Sequence, residues 1–353
     1  MLRIKEWIMK KIFNKLFKKN ELPSSSRITN ETVAQHREHI LAGGRRFKYP
    51  IQYARHRLVI NAILISISAL IIVLAVGWWQ LYSVQNTSEF MYRITKVLPI
   101  PVASVDGQEV LYSDYLMKYL SSVHYLEQKE QVNLKTDDGK SQIEYIKQQS
   151  IQDAIADAYA VKLAKELNVS VSDIELEGFI KEQRQSSDGE ISEQTYNAVI
   201  LDYYGWSPSE YRRVTAAKLL RQKVSYQIDK NALKTINSLS ESLKTDPSAD
   251  LKTLADDAAK NLGGKVEYSV SGWVPRANQD GGKAIAATKL DKLQISPIIK
   301  STIGDGYYIV KLLDSTVTQV SYAEVHVLLT EFPNKLDKVI SDKKLDKYIS
   351  IKG

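Results

Sequence analysis

The chain of 353 residues contains no cysteine. This absence excludes disulfide bonds, thiolate metal ligands and a cysteine nucleophile, and it is compatible with an oxidising compartment, where a lone thiol is a liability. The sequence also lacks a glycine-rich phosphate loop, a His-x-x-x-His pair and a Gly-x-Ser-x-Gly motif, which are the common signatures of nucleotide, zinc and serine-hydrolase sites. We therefore expect neither a cofactor nor a bound metal.

Excess positive charge is missing from most of the chain, although the formal net charge is +7. Residues 1–57 hold 14 Lys and Arg against 4 Asp and Glu, whereas residues 84–353 hold 34 against 37. The basic character belongs to the N-terminal tail alone. We therefore expect no nucleic-acid partner for the bulk of the protein.

Charge is absent altogether from residues 58–83, and the few polar residues of this stretch are Asn61, Ser66, Ser68, Gln80 and Ser83. A helix needs about 20 residues to cross the hydrocarbon core. A core helix of a soluble protein would normally carry a stripe of polar residues along one side, and this segment has none. A cleaved signal peptide is excluded by the length of the segment, its distance from Met1 and the lack of a small-x-small site. The sequence predicts a transmembrane helix at residues 58–82.

Basic residues flank this span unevenly. Five lie shortly before it and two shortly after it, namely Arg45, Arg46, Lys48, Arg55 and Arg57, and then Arg93 and Lys96. Because the more positive side stays in the cytoplasm, we expect a cytoplasmic tail at residues 1–57 and extracytoplasmic domains after the span, in the cell membrane. Trp78, Trp79 and Tyr82 then lie where an outer aromatic belt is expected.

Within the tail, residues 2–19 place apolar side chains on one helical face and lysines opposite. This pattern is typical of a helix in the anionic inner interface of the membrane, although a solvated basic helix without lipid contact has the same pattern. Residues 20–50 contain Ser24–Ser26, Gly43-Gly44 and Pro50, which predict a flexible connector.

The first outer segment, from residue 98 to 230, is predicted to be mainly helical. Val102–Val105 and Val110-Leu111 can form a hairpin about Asp106-Gly107, and Ser113 is the expected N-cap of the next helix. Ser172 is a further expected N-cap, and Ser207-Pro208 begins another helix with proline at the first helical position. Helical patterns cover about 114–132, 141–168, 172–187, 192–204 and 207–229.

Four stretches of this segment resemble, in the same order, the N-terminal domain of SurA- and PrsA-type extracytoplasmic chaperones. They are Val102–Val110 (VASVDGQEV), Ala164–Glu175 (AKELNVSVSDIE), Tyr204–Arg212 (YGWSPSEYR) and Lys218–Val224 (KLLRQKV). The resemblance implies an all-helical cradle that holds unfolded or partly folded secreted chains. The 20 tyrosines also suit promiscuous contacts, although single tyrosines such as Tyr115 and Tyr119 can equally be packing residues.

Residues 231–331 resemble the parvulin-type (PpiC) peptidyl-prolyl isomerase fold, with a small antiparallel sheet. Helices are expected at about 232–244, 249–261 and 282–290, and strands at about 266–274 and 306–313. The stretches that carry the resemblance are Leu251–Ala259, Gly263-Gly264, Gly272-Trp273, Ala286–Ser296 and Gly306–Lys311.

The active-site positions of this family are not matched. Rotation about a peptide bond faces a barrier of about 18–20 kcal/mol, and lowering it takes an apolar slot for the proline and hydrogen-bonding groups near the twisting amide. Parvulins place a methionine and a phenylalanine in the slot, where this chain has Gln279 and Lys283. With Trp273 and Tyr307, these are the candidate substrate-binding residues. The family's histidine in the last strand is replaced by Tyr308.

A histidine follows one strand later. Ala323–Leu329 (AEVHVLL) resembles the family's first strand, moved to the C-terminal side, and a turn at 314–318 would lay it antiparallel to Gly306–Leu313. His326 would then stand near Tyr308, and these two are the candidate catalytic residues. Ordinary packing of a strand histidine is the alternative.

The sequence thus predicts an α+β protein with a tail (1–57), a membrane helix (58–82), a helical chaperone domain (98–230), a parvulin-like domain (231–331) and a C-terminal amphipathic helix (332–353). The expected function is a membrane-anchored holdase or foldase that binds unfolded or nascent secreted polypeptides, with weak or lost isomerase activity. The alternatives are an active isomerase of permuted parvulin topology and a structural subunit of an envelope complex. Membrane lipid is the other expected partner, through residues 58–82 and 2–19.

Overall fold

The computed structural model describes residues 29–48, 50–186, 189–261 and 265–351. The expected amphipathic helix at 2–19 and the Gly263-Gly264 pair lie outside these residues. The chain divides into two compact units, residues 1–77 and residues 78–353.

The first unit is helical from residue 30 onward in its described part. Helix α1 runs over Asn30–Lys48 and helix α2 over Pro50–Trp78. The flexible connector expected at 20–50 is therefore wrong for residues 30–48. The Thr29 hydroxyl accepts a hydrogen bond from the backbone N–H of Thr32 at 3.4 Å and caps α1, and strong helix formers around Gly43-Gly44 outweigh the two glycines.

Among the described residues one helix, His56–Ser83, is long and apolar enough to cross a membrane, as expected for the span. Its last turn, Trp79–Ser83, widens into a π-helix. This turn belongs to the second unit, where Leu81 is buried in the core and its carbonyl oxygen accepts a hydrogen bond from the Tyr112 hydroxyl at 2.9 Å.

The second unit contains a helical module, defined here as residues 84–228 together with 331–351. Its hairpin and most of its helices lie close to the expected positions. The elements are α3 (Glu89–Val97), β1 (Pro101–Val105), β2 (Gln108–Leu111), α4 (Tyr112–Gln128), α5 (Asp137–Leu167), α6 (Asp173–Gln183), β3 (Gln185–Ser186), β4 (Gly189–Glu190), α7 (Glu193–Tyr204) and α8 (Pro208–Ile228).

The helix boundaries follow from local capping. Ser172 and Ser207 each form a reciprocal capping box with the glutamate three residues later, which satisfies two free N–H groups at each helix start. The expected cap at Ser113 is wrong. The chain enters α4 directly from β2, where the N–H of Tyr112 bonds the carbonyl of Ile100 at 2.8 Å, and Ser113 is buried inside the helix.

The core of the helical module is built largely from tyrosine and aliphatic side chains of α4 and α5. Tyr112, Tyr115 and Tyr119 follow one another on α4 with ring centroids 5.7 and 6.3 Å apart. All three are less than a tenth exposed. These tyrosines are packing residues rather than a binding surface.

The sheet module comprises residues 229–330. Its strands are all antiparallel in the order β5-β9-β8-β7, with the short β6 paired to β9. Helices α9 and α10 pack on one face of the sheet, and helix α11 packs on the other. The elements are α9 (Lys230–Thr245), α10 (Leu251–Asn261), β5 (Val266–Val270), β6 (Val274–Pro275), α11 (Lys283–Ala287), β7 (Ile299–Lys300), β8 (Gly306–Ser315) and β9 (Gln319–Leu328).

Strands β8 and β9 form the expected hairpin, and His326 stands directly opposite Tyr308. Because side chains alternate along a strand, Tyr307 and Ile309 join the core under α9 and α10. Val310 and Leu312 pack on the opposite side, against α11.

The C-terminal segment returns to the helical module. The single helix expected at 332–353 is wrong, because α12 covers only Glu331–Ser341 and Leu345–Lys347 form a strand, β10, paired antiparallel with β1. Lys343 adopts a positive φ of 58° just after the helix, so the chain reverses there. Pairing with β10 gives β1 a second partner and buries Ile349 in the helical core.

Candidate functional site

A cleft crosses the helical module between α3, α4 and α5 on one side and the α7–α8 junction on the other. It consists of two hollows of about 620 and 710 Å³. Tyr204, Trp206 and Ser121 line both of them, so the hollows lie on either side of a shared wall. Volumes of this size can hold several side chains of a bound polypeptide.

The shared wall is formed by the sequence Tyr204-Gly205-Trp206-Ser207-Pro208. Gly205 ends α7 with a φ of +68°, a conformation that glycine adopts without strain. A Cβ atom at Gly205 would lie 3.3 Å from the His124 ring. Ser207 then caps α8 with Pro208 in its first turn. The chain therefore reverses within three residues and stacks Tyr204 on Trp206, with ring centroids 4.9 Å apart and planes 20° apart.

Trp206 carries an unpaired polar group. Its indole Nε1 is buried, and no atom of the described residues accepts a hydrogen bond from it. Indole N–H is a donor only, and buried donors nearly always have a partner. Because this nitrogen has almost no solvent-accessible surface, an acceptor on a ligand, such as a peptide carbonyl, reaches it only when the side chains that cover it move.

The rim of the first hollow is organised by Glu210, the capping residue of α8. Its carboxylate accepts hydrogen bonds from the Tyr92 hydroxyl at 2.6 Å and from the Lys96 ammonium at 3.1 Å. Burial opposes ionisation, but the hydrogen bonds from Tyr92, Ser207 and Lys96 outweigh it and lower the pKa of Glu210 to about 2. This carboxylate is therefore charged at neutral pH and fixes α3 to α8.

A second cluster lies on the α11 side of the sheet module. The rings of Tyr308 and His326 stack with centroids 4.1 Å apart. The Tyr308 hydroxyl donates to the Asp305 carboxylate at 2.5 Å, and His326 Nε2 lies 3.3 Å from the Asp305 backbone oxygen. Burial, followed by the bond to Asp305, raises the pKa of Tyr308, while burial lowers that of His326. The two candidate catalytic residues are thus neutral neighbours at pH 7.

Lys283, which stands where parvulins have an apolar slot residue, forms an ion pair. The Lys283 ammonium lies 2.8 Å from the Glu324 carboxylate and 4.5 Å from the centre of the Tyr308 ring. Both side chains are about 85% or more buried, and Ser269 donates a further hydrogen bond to Glu324 at 3.0 Å. The space beside Tyr308 is therefore polar and filled.

The other candidate substrate-binding residues do not join this cluster. Tyr307 points to the opposite face of the sheet, where its ring packs edge-on against Tyr226 at 5.1 Å. Trp273 is half exposed between β5 and β6, and Gln279 is exposed before α11. Of the four, the structure brings only Lys283 next to Tyr308.

Sequence reasoning missed Asp305 and Glu324 as members of the cluster, and it treated Trp206 only as part of a motif. Glu324 could have been found, because it stands two residues from His326 and so shares its face of the strand. Asp305 could not, since it lies in the turn before β8. The role of Trp206 depends on helices distant in sequence.

Comparison with known families agrees with the helical module. The family model described as the SurA-like N-terminal domain matches residues 52–225. The match shows that this part of the chain is similar to that domain. It begins inside α2 and ends three residues before the end of α8. No curated protein matches the chain.

Proposed function

We propose that the protein is a membrane-anchored holdase or foldase that binds unfolded secreted polypeptides outside the cytoplasm. The anchor is the span at residues 56–83, and the uneven distribution of Lys and Arg around it favours a cytoplasmic N-terminus. The match of residues 52–225 to the SurA-like N-terminal domain supports the chaperone role.

The observation that carries the proposal is the unpaired N–H of Trp206 in a cleft lined by aromatic side chains. An extended polypeptide offers a carbonyl oxygen at every residue, whatever its sequence. The two hollows of mixed polar and apolar lining accept varied side chains, and the Trp206 N–H recognises backbone carbonyls once the side chains that cover it move. This combination suits a binder of many clients.

The experiment is suppression of aggregation of a chemically unfolded model protein by the full-length chain in detergent. Trp206→Ala, which removes both ring and donor, should abolish most of the suppression. Trp206→Phe should retain part of it, because an aromatic ring remains although the N–H and the five-membered part of the indole are lost. Trp273→Ala is the matched control, since this tryptophan is exposed on the sheet module.

Thermal unfolding must show that the Trp206 variants remain folded. Equal loss of activity in the Trp206 and Trp273 variants would refute binding in the cleft. If the unaltered chain suppresses no aggregation, the chaperone function itself is wrong, and a structural role in an envelope complex takes its place.

In this proposal the sheet module is a parvulin-like domain with weak or lost isomerase activity. The buried Lys283–Glu324 pair lies beside Tyr308, where a parvulin would accept the proline ring. Proline binding there would have to expose or separate a buried ion pair, which is costly.

An active isomerase of permuted parvulin topology is the second candidate, and the stacking of His326 on Tyr308 beside Asp305 favours it. A proline-peptide isomerisation assay on the full chain distinguishes the two. The leading proposal expects a rate close to the uncatalysed one. A clear rate enhancement that is lost in both His326→Ala and Tyr308→Phe would establish the isomerase instead.

A further inference from the structure

Large apolar side chains remain exposed immediately after the span. Helix α3 buries Met91 and Thr95 and turns Phe90 and Val97 outward. These outward side chains are 65% and 79% exposed, and they lie seven residues apart, on one face of the helix. Other exposed apolar residues of this segment are Trp78, Trp79, Val84 and Leu98. Several large exposed apolar side chains so close together in the chain favour an interaction surface.

Hydrogen bonds hold both ends of α3 beside the last turn of the span. Before α3, the backbone N–H and the side-chain amide of Asn86 bond Gln80, at 2.9 and 3.0 Å. After α3, the Tyr82 hydroxyl bonds the carbonyl oxygen of Pro101 at 2.7 Å. Leu81 is buried in the same core as Met91. Helix α3 therefore cannot move away from the turn at Trp79–Ser83 without breaking this core.

The position of that turn identifies what covers the exposed face. A helix that crosses the hydrocarbon at residues 56–83 brings Trp79–Ser83 to the level of the lipid headgroups. The face of α3 is fixed beside this level, and the exposed Arg93, three residues after Phe90, suits lipid phosphates, whereas Lys96 is paired with Glu210. Glu89 pairs with Arg93 at 3.6 Å on the surface, so apolar contact rather than net charge dominates on this face.

We propose that the Phe90–Val97 face of α3, together with Trp79, rests in the headgroup region of the leaflet at which the span ends. The helical module would then be seated on the bilayer rather than tethered above it. This inference rests on the proposed membrane anchoring but not on the chaperone function. It gives α3 the role of an interfacial helix with one lipid-facing side and one core-facing side.

The absence of cysteine makes the test direct. The single variants Phe90→Cys and Val97→Cys of the full chain are labelled with an environment-sensitive fluorophore. Each is placed in nanodiscs of mixed zwitterionic and anionic lipid, which also contain a lipid with a nitroxide quencher at the headgroup. Val317→Cys and Ile174→Cys are matched controls, since both side chains are at least 85% exposed and lie far along the chain from the span. Leu74→Cys, inside the span, reports membrane insertion through a nitroxide placed on the acyl chain.

Labels at Phe90 and Val97 should be quenched several-fold more strongly than those at Val317 and Ile174, with blue-shifted emission. If Leu74 is quenched but Phe90 and Val97 behave like Val317, the chain is anchored and the docking of α3 is refuted. Shielding of Phe90 and Val97 from aqueous iodide without nitroxide quenching would assign the face to a second copy of the chain and also overturn the proposal. If Leu74 is not quenched, the anchoring fails and this inference fails with it.

Discussion

The strongest test of the fold is the replacement of Asp229 by alanine. This carboxylate is 1% exposed and lies between the helical and sheet modules. One oxygen accepts from the backbone N–H of Ala232 at 2.9 Å, and the other accepts from those of Thr330 and Glu331 at 2.7 and 3.1 Å. A single side chain thus caps the start of α9 and the start of α12, two helices about a hundred residues apart in sequence.

The magnitude follows from the bonds that are lost. Removing one N-cap costs about 0.5–2 kcal/mol. A hydrogen bond to a charged group contributes about 1.5–3 kcal/mol, and these contributions overlap because they share one carboxylate. We therefore expect Asp229→Ala to lower the free energy of unfolding by about 2–4 kcal/mol. The stability of Asp229→Asn should lie between those of the unaltered chain and Asp229→Ala. The asparagine amide keeps one acceptor oxygen but turns its NH2 group, a donor, toward the remaining N–H groups.

The assay is urea unfolding of the full-length chain in detergent, followed by far-ultraviolet circular dichroism. Asp250→Ala is the matched control, because Asp250 accepts from Thr253 at 2.9 Å at the start of α10 but is exposed and caps only one helix. It should cost about 1 kcal/mol. The reasoning is refuted if Asp229→Ala is no more destabilising than Asp250→Ala.

Three further results are expected. The pKa of Glu210 is about 2 in the folded state and lies below its value in the unfolded chain. The ionised Glu210 carboxylate therefore contributes its full stabilisation above about pH 4.5, and this stabilisation is lost as the pH falls toward 2. Glu210→Gln should flatten this part of the pH dependence of urea unfolding. Gly306→Ala should lower the free energy of unfolding by about 1–3 kcal/mol, because φ at Gly306 is +152° and the new Cβ would collide with the Val327 carbonyl oxygen. Gly178→Ala is the control: Gly178 lies in open space within α6, and the change should raise the free energy of unfolding by up to about 1 kcal/mol. Tyr348→Pro removes the N–H that bonds the Val102 carbonyl at 3.0 Å and should raise the protease sensitivity of β10, whereas unchanged protection would contradict its pairing with β1.

Much of the secondary structure could be predicted because its signals are local. Ser172, Ser207 and Pro208 mark helix starts by the hydrogen bonds of their own side chains and backbone. The strand that contains His326 was also predictable, since alternation and a short turn suffice to pair it with β8. The C-terminal strand β10 was not, because its partner β1 lies more than two hundred residues earlier.

The candidate sites also combine features that the sequence predicts with features that only the fold sets. A polar residue at position 283 could be recognised from the sequence, but its pairing with Glu324 over the Tyr308 ring depends on how α11 packs on the sheet. Tyr307 and Tyr308 are adjacent in the chain, and only the direction of β8 decides which one faces the cluster.

The sequence by itself determined the span, the location of the positive charge and the order of helices that resembles the SurA-like domain, because apolar runs, charge and capping act over a few residues. The tertiary structure alone decided that Trp206 has a buried and unpaired N–H, that Asp229 caps two helices and that α3 is fixed beside the end of the span. Each of these depends on atoms brought together from distant parts of the chain, and burial then makes every missing or satisfied hydrogen bond energetically important.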